Sequence, residues 1–238
     1  AGITTNGYKL TTEVFRELLD YKVLGYQITL DGTKETHDQF RVGKNGEETF
    51  DTIVENMKNI RDMDEERGFQ IMIRSNISEG TFPVMHEFID FISEEFVDDP
   101  RFKMHFVSVK NLKGDQSGDI HLCDTKELFP FYNHAEKKGF DFSFYKQTLQ
   151  PGGSECYAAL PDSFVIGSDG MVYKCTVAFN NPLNHVGNIL ENGEMEIYEE
   201  RLALWLSGGA NEDSACTSCY FRPSCQGNAC PLERIEAN

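Results

Sequence analysis

CTSCYFRPSCQGNAC, residues 216–230, sets four cysteines in fifteen positions with the spacing C-x2-C-x5-C-x4-C. A C-x2-C pair places two sulfurs on one tight loop, so a single metal centre can be gripped with little further ordering of the chain. Thiolates are soft donors, and sites made mostly of cysteine select zinc or iron–sulfur clusters over magnesium or calcium. Arg222 and Pro223 lie between the second and third cysteines, and Gly227 between the third and fourth. Those residues suit a knuckle that turns sharply and offers backbone N–H groups to sulfur. Two other readings stand beside an iron–sulfur centre. The four cysteines would also serve as two disulfides, or as the zinc ribbon of a binding module without redox chemistry.

Composition narrows the class. At 238 residues and 39% hydrophobic, the chain can bury a sizeable core as one large domain or two small ones. Twenty-two basic against thirty-nine acidic residues give a formal charge of −17. That balance argues against nucleic acid and anionic membrane as partners, since both need a positive surface. No apolar run approaches a membrane span and no signal peptide opens the chain. Seven cysteines is an odd count that internal disulfides cannot absorb, so a reducing cytoplasm is the expected location. The chain opens on AGITTNGYKL, which reads as the end of a strand, and stops at CPLERIEAN. Both ends are expected to be cuts in something longer.

Along the chain, Gly2 to Thr5 reads as a strand tail running into the turn pair Asn6-Gly7. Thr11 and Thr12 would cap a helix with Val14, Leu18 and Leu19 on its apolar face. Tyr26, Ile28 and Leu30 alternate with polar residues as a strand that stops at Asp31-Gly32. A helix carrying Ile53, Val54, Met57 and Ile60 follows, then a β-rich run over 69–77, a helix over 82–96 and a strand over 102–109. Strands alternating with amphipathic helices are the rhythm of βα units on a parallel sheet. Beyond residue 110 the texture changes to a polar stretch carrying Cys123, a helix over 126–138, a strand over 140–146 and Pro151-Gly152-Gly153. Ser168-Asp169-Gly170 between two apolar runs predicts a hairpin, with Cys156 before it and Cys175 at its end; a helix is expected over 194–206.

Cys156, thirteen residues to Gly170, four more to Cys175, then Cys216-x2-Cys219-x5-Cys225 and a close Cys230 form one pattern. It closely resembles the SPASM domain of radical S-adenosylmethionine enzymes, which in that family carries two auxiliary 4Fe–4S clusters. TNGYKL, YQITLDGTKETHDQFR and GEETFD resemble the middle strands and helices of the partial barrel in SPASM-containing peptide maturases. The resemblance implies an α/β fold: the C-terminal part of a partial (β/α)6 radical SAM barrel, then a small cysteine-rich α+β SPASM domain with a β-hairpin. Residues 1–110 would be barrel units, 111–150 a bridging segment and 151–238 the SPASM domain. The family's C-x3-C-x2-C motif, which binds the catalytic cluster, precedes the TNG strand and has no counterpart here. The third-to-fourth spacing is x4 where x3 is usual, and the cysteine that normally follows would lie past Asn238.

Carried over position by position, the resemblance gives Cys156, Cys175 and Cys230 to a first auxiliary cluster, and Cys216, Cys219 and Cys225 to a second. Cys123 falls outside the motif and is expected to be an ordinary thiol, or to fill an open iron of the first cluster. Tyr157, Phe164, Val172, Tyr173 and Phe221 would supply an apolar wall. Thr29, Asp31 and Arg41 stand at and beyond a strand end, where α/β proteins place ligands. By resemblance they lie near S-adenosylmethionine, with Arg41 or Arg74 pairing its carboxylate; an ordinary ion pair is the other reading of Arg41. Arg74 and Asn76 are polar residues inside an apolar strand and need partners, from a lumen ligand or a buried network. His37 and His105 are candidate metal ligands or acid–base groups, and a histidine satisfied by a hydrogen bond to backbone is the expected reading of each. Sulfatase-maturing relatives place an aspartate base directly after the second SPASM cysteine, where this chain has Thr176. The whole enzyme would cleave S-adenosylmethionine reductively at a third 4Fe–4S cluster outside this chain. The resulting 5′-deoxyadenosyl radical would cross-link a ribosomally made precursor peptide, with flavodoxin or ferredoxin as reductant. This chain alone would lack that chemistry.

Overall fold

The computed structural model describes residues 1–109, 125–143, 150–206, 218–227 and 230–236. Cys123 and Cys216 therefore lie outside the described residues. The chain divides into two compact units, Ala1–Phe142 and Ser143–Asn238.

In the first unit, β1 (Gly2–Thr5), β2 (Gly25–Thr29), β3 (Gln70–Ile77) and β4 (Phe102–Ser108) form one parallel sheet in sequential order. Register fixes the two faces. Tyr26, Ile71 and Phe102 are level with one another, as are Ile28, Ile73 and Met104, and all six are buried. They pack with Phe15, Ile53, Met57, Ile60, Phe88 and Ile92 of the covering helices. Fully burying one such side chain stabilises the fold by about 1.5–3 kcal/mol, so this layer is the core of the unit. The opposite face carries Thr4, Gln27, Thr29, Met72, Arg74, Asn76, Lys103 and His105. A parallel sheet usually reads as apolar on both sides because both are covered. Here one side is polar and mostly half-exposed, which is the property of a lumen wall.

The helices are α1 (Thr12–Asp20), α2 (Lys34–Phe40), α3 (Phe50–Arg61), α4 (Met85–Phe96, preceded by a 3-10 turn at Phe82–Val84) and α5 (Phe129–Lys138). Thr11 caps α1 by accepting from the Val14 N–H at 3.4 Å. The buried stripe of α1 is Phe15 and Leu19; Val14, expected inward, is 39% exposed. A cap from a neighbouring element starts α3: Asp38 Oδ1 accepts the N–H groups of Thr49 (2.8 Å) and Phe50 (3.0 Å). Helix α5 ends on Gly139 at φ +113°, a left-handed stop that favours glycine. It packs on α4 and β4 through Phe131 against Phe82 and Tyr132 against Phe106, and so belongs to the first unit. Phe140 to Phe142 is not a strand, contrary to the expectation for 140–146, and residues 144–149 lie outside the described residues.

The second unit holds an antiparallel meander of β5 (Val165–Ile166), β6 (Met171–Tyr173), β7 (His185–Ile189) and β8 (Met195–Ile197). The expected hairpin is present, closed by Gly167 N–H to the Met171 carbonyl at 2.8 Å, with Gly170 at φ +79°. The span 194–206 is not one helix: its first part is β8, and α6 covers Glu199–Leu206. Trp205 of α6 is fully buried and donates its indole N–H to the Leu183 carbonyl at 2.9 Å. Two short helices, α7 (Arg222–Cys225) and α8 (Pro231–Glu236), complete the unit. Among the described residues, no helix is long and apolar enough to cross a membrane.

Candidate functional site

In the first unit the polar face of the sheet opens, at the C-terminal ends of its strands, into a cavity of about 600 Å³ lined by Asp31, Arg41, Arg74, Asn76, Thr81 and Ser108. A second cavity of about 600 Å³ takes in Thr29, His37, Arg41 and Thr49. Four of the five residues singled out from sequence thus share one cavity, and Thr29 lines the other beside Arg41. Thr29, Arg74 and His105 also form one rung across β2, β3 and β4.

Asp31 organises the cavity. Its Oδ1 accepts from the Asn76 backbone N–H (2.7 Å) and from Asn76 Nδ2 (3.2 Å), and its Oδ2 accepts from Arg41 Nε (2.5 Å). Asn76 Oδ1 in turn accepts from Arg74 Nε at 3.0 Å. Arg41 therefore makes the ion pair that was its alternative reading, with its side chain 38% exposed. Arg74 spends only Nε on this chain of contacts among the described residues. Its planar terminal N–H pair is the fork that takes a carboxylate bidentately.

His37 is fully buried and structural. Its Nδ1 accepts the Asp31 backbone N–H at 3.1 Å. Its Nε2 meets Thr49 Oγ1 at 3.2 Å, and that hydroxyl donates to the Arg41 carbonyl at 2.6 Å. The Thr49 proton is thus committed, so Nε2 is the donor and the ring is neutral. Burial pushes its pKa below the ordinary histidine range, although Asp31 and Asp38 pull it upward. His105 is pushed the same way, first by burial and then by the Arg74 charge. The roles of Asp38 and Thr49 were not read from the sequence; the only available signal was their place in the LDG-x4-HD and GEET stretches.

In the second unit, five described cysteines, Cys156, Cys175, Cys219, Cys225 and Cys230, are free thiols. Cys156 and Cys175 belong to one core with Val172, Val186 and Trp205, against which Leu232 and Ile235 pack, just after Cys230. Burial raises the Cys156 pKa, the charges of Cys230 and Cys175 raise it further, and Lys174 draws it back. Cys156 thus lies within electrostatic reach of thiols from two distant points of the chain. Backbone contacts fasten their segments. Gly152 N–H donates to the Pro223 carbonyl (3.0 Å), Ser154 N–H to the Ser224 carbonyl (3.1 Å), and Ser224 Oγ to Ser154 Oγ (2.8 Å). These join the run before Cys156 to the turn that presents Cys225. Asn184 Oδ1 takes the N–H groups of Lys174 (3.1 Å) and Cys175 (2.8 Å), and its Nδ2 returns to the Cys175 carbonyl (2.8 Å).

The donor set fits an iron–sulfur centre. It consists of unpaired thiols with an apolar backing, and the Gly227 N–H donates to Cys225 Sγ at 3.4 Å, the contact that stabilises thiolate charge. Among the described residues, no three His, Cys, Asp or Glu side chains are gathered tightly enough for a single ion. The expected apolar wall holds at Val172, Tyr173 and Phe164, but Tyr157 (39%) and Phe221 (60%) are exposed; Trp205 and Ala158 take their place.

A parallel α/β unit with a polar lumen face, coupled in sequence to a cysteine-lined meander, defines an iron–sulfur protein of the partial-barrel class. Residues 156–220 match the SPASM family, described as an iron–sulfur cluster-binding domain. The chain is 24% identical to the cysteine-type anaerobic sulfatase-maturating enzyme of Clostridium novyi (strain NT) over 226 residues, 84% of this chain and 55% of that protein. Two solved structures share its fold. Native anSMEcpe with bound AdoMet has a TM-score of 0.63 and 18% identity over 94% of this chain and 64% of that one. Native anSMEcpe with bound AdoMet and the Kp18Cys peptide has a TM-score of 0.62 and 16% identity over the same shares. Residues 156–220 thus form a SPASM-type iron–sulfur domain, and the chain as a whole shares the fold of these AdoMet-bound structures. It spans between half and two thirds of the length of these proteins.

Proposed function

We propose that the protein containing this chain is a radical S-adenosylmethionine peptide maturase that installs a thioether or carbon–carbon cross-link. The observation that supports this reading is the SPASM match laid over free thiols, Cys156 and Cys175 in one small core and Cys230 just before the helix that packs on it. Cys156, Cys175 and Cys230 would hold one auxiliary 4Fe–4S cluster, and Cys219 and Cys225 would hold a second together with Cys216. When bound, these clusters supply one-electron chemistry or an open iron for a substrate group.

The residues of the first unit have separate tasks. Arg74 would take the carboxylate of S-adenosylmethionine with its free terminal N–H pair, while Asn76 and Asp31 hold that guanidinium in place. Thr29, one position along the same rung, would contact the same ligand. Neutral His37 fixes the Asp31 loop and moves no proton. Cross-linking is favoured over oxidation of cysteine to formylglycine by the residue after Cys175. Thr176 donates its backbone N–H to Tyr157 Oη (2.9 Å) and shares a hydroxyl contact with it (2.8 Å), so no carboxylate base stands there. A peptide whose cysteine and acceptor carbon lie in one chain is the substrate class, with an external reductant as partner.

The test is turnover by the longer enzyme, anaerobically, with dithionite, S-adenosylmethionine and a cysteine-containing precursor peptide. The reading predicts 5′-deoxyadenosine and a peptide lighter by two hydrogens with its sulfur retained. Loss of the cysteine sulfur to an aldehyde would overturn the cross-link and return the protein to the sulfatase-maturing reaction.

A further inference from the structure

Lys174 is the one charged side chain of the second unit that is fully buried among the described residues. Its ammonium donates to the carbonyls of Leu160 and Ser163, each at 2.5 Å, and lies 4.7 Å from the centroid of the Phe164 ring. No carboxylate pairs with it among the described residues. A buried ammonium without an anion is costly, and fixed carbonyl dipoles offset only part of that cost. Two anionic groups act on it through space, first the solvent-exposed carboxylate of Asp162, which makes no ion pair with it, and then the half-buried thiol of Cys156. Cys175 is its neighbour in sequence, and Cys156 opens the 156–163 turn whose carbonyls the ammonium holds. Both cysteines share a core with Phe164, the ring beneath the charge.

We propose that Lys174 is the resident counter-cation of the first auxiliary cluster, raising its reduction potential while bracing the Cys156 turn against the strand that leads to Cys175. The inference rests on the iron–sulfur reading above and adds a positioning residue to it. A cluster held by thiolates is anionic, and reduction makes it more so. A fixed positive charge inside a poorly screened core favours the reduced form. Lysine at this place would set the first cluster above a second one that has no buried cation beside it among the described residues. Electrons would accordingly settle on the first cluster.

The experiment is a potentiometric titration, followed by electron paramagnetic resonance, of the anaerobically reconstituted protein and its K174M, K174Q and K174R variants. C156A identifies the first cluster's signal by removing it. K174M and K174Q should shift that signal to lower potential by about tenfold or more in the reduced-to-oxidised ratio, ~59 mV for one electron. K174R should stay close to wild type, and the second cluster should be unmoved throughout. If the neutral variants load no first cluster while K174R does, the requirement for charge is shown by uptake instead. An unmoved potential in loaded K174M would overturn the proposal, as would equal failure of all three variants to load, which marks a requirement for lysine's shape alone. Wild-type protein that takes up no iron would remove the metal reading itself, a result distinct from either.

Discussion

Asp31 has two carboxylate oxygens and three donors: the Asn76 amide, the Asn76 side chain and Arg41. Substituting Asp31→Ala removes the acceptor and leaves those donors in a site that is 6% exposed. We expect a loss of about 1–3 kcal/mol in unfolding free energy, read from urea midpoints, since orphaned buried donors forfeit their desolvation cost. An unchanged midpoint would show that water replaces the carboxylate freely. His37 and His105 give a pH prediction. Burial holds both below the ordinary 6.5 in the folded state. The unfolded chain then binds protons near that pH that the folded chain refuses, so the stability these residues contribute is full above it and lost as pH falls below it. Urea midpoints should decline from pH 7.5 to 5.5, and His37→Gln should flatten part of that decline; an equal slope in the variant would contradict the assignment. Arg74 and Asn76 were visible in the sequence because polar residues interrupt an apolar strand, and Asp31 because it ends one. The Asp38 cap and the Thr49 relay were not, because they depend on contacts eleven or twelve positions away.

At the level of elements, the first unit follows its sequence closely because strands such as Gln70–Ile77 alternate inward and outward residues. Helix α2 was not anticipated. KETHDQF has no apolar stripe, and its buried positions are Thr36 and His37, satisfied by hydrogen bonds rather than by packing. Strands β7 and β8 escaped for a related reason: HVGNI and MEI are short, polar at several positions, and held by pairing with β6 and with each other. The 194–206 run looked helical since Ile197, Leu202 and Leu206 are compatible with that period, yet its helix starts only at Glu199. Trp205, the residue that anchors α6 to the second core, gives the element-level prediction. Trp205→Ala should cost about 3–5 kcal/mol, the range for removing a fully buried large aromatic. It should also reduce cluster uptake, because Cys156 and Cys175 share that core. Iron loading equal to wild type in a destabilised W205A would separate the core from the metal set. At the hairpin, Gly170→Val should lower the thermal midpoint, since φ +79° strains any β-branched residue.

For the molecule as a whole, the two units divide the labour: one offers a polar cavity at the ends of parallel strands, the other a set of free thiols held by a small apolar core. The thiol pattern was legible because ligand spacing survives in sequence. The joining of residues 152–154 to 223–224 was not, since nothing in PGGS or PSC announces a partner some seventy positions away. If the assignment of ligands is right, Cys156→Ala and Cys219→Ala should each remove about half of the bound iron, and by different spectral components. The most direct test is iron, zinc and acid-labile sulfide content of the wild-type protein purified without oxygen, together with its visible spectrum. Iron and sulfide near two cubane equivalents, with broad visible charge-transfer absorption, is the predicted result. Stoichiometric zinc without sulfide would contradict the account and leave a metal-stapled binding module in its place.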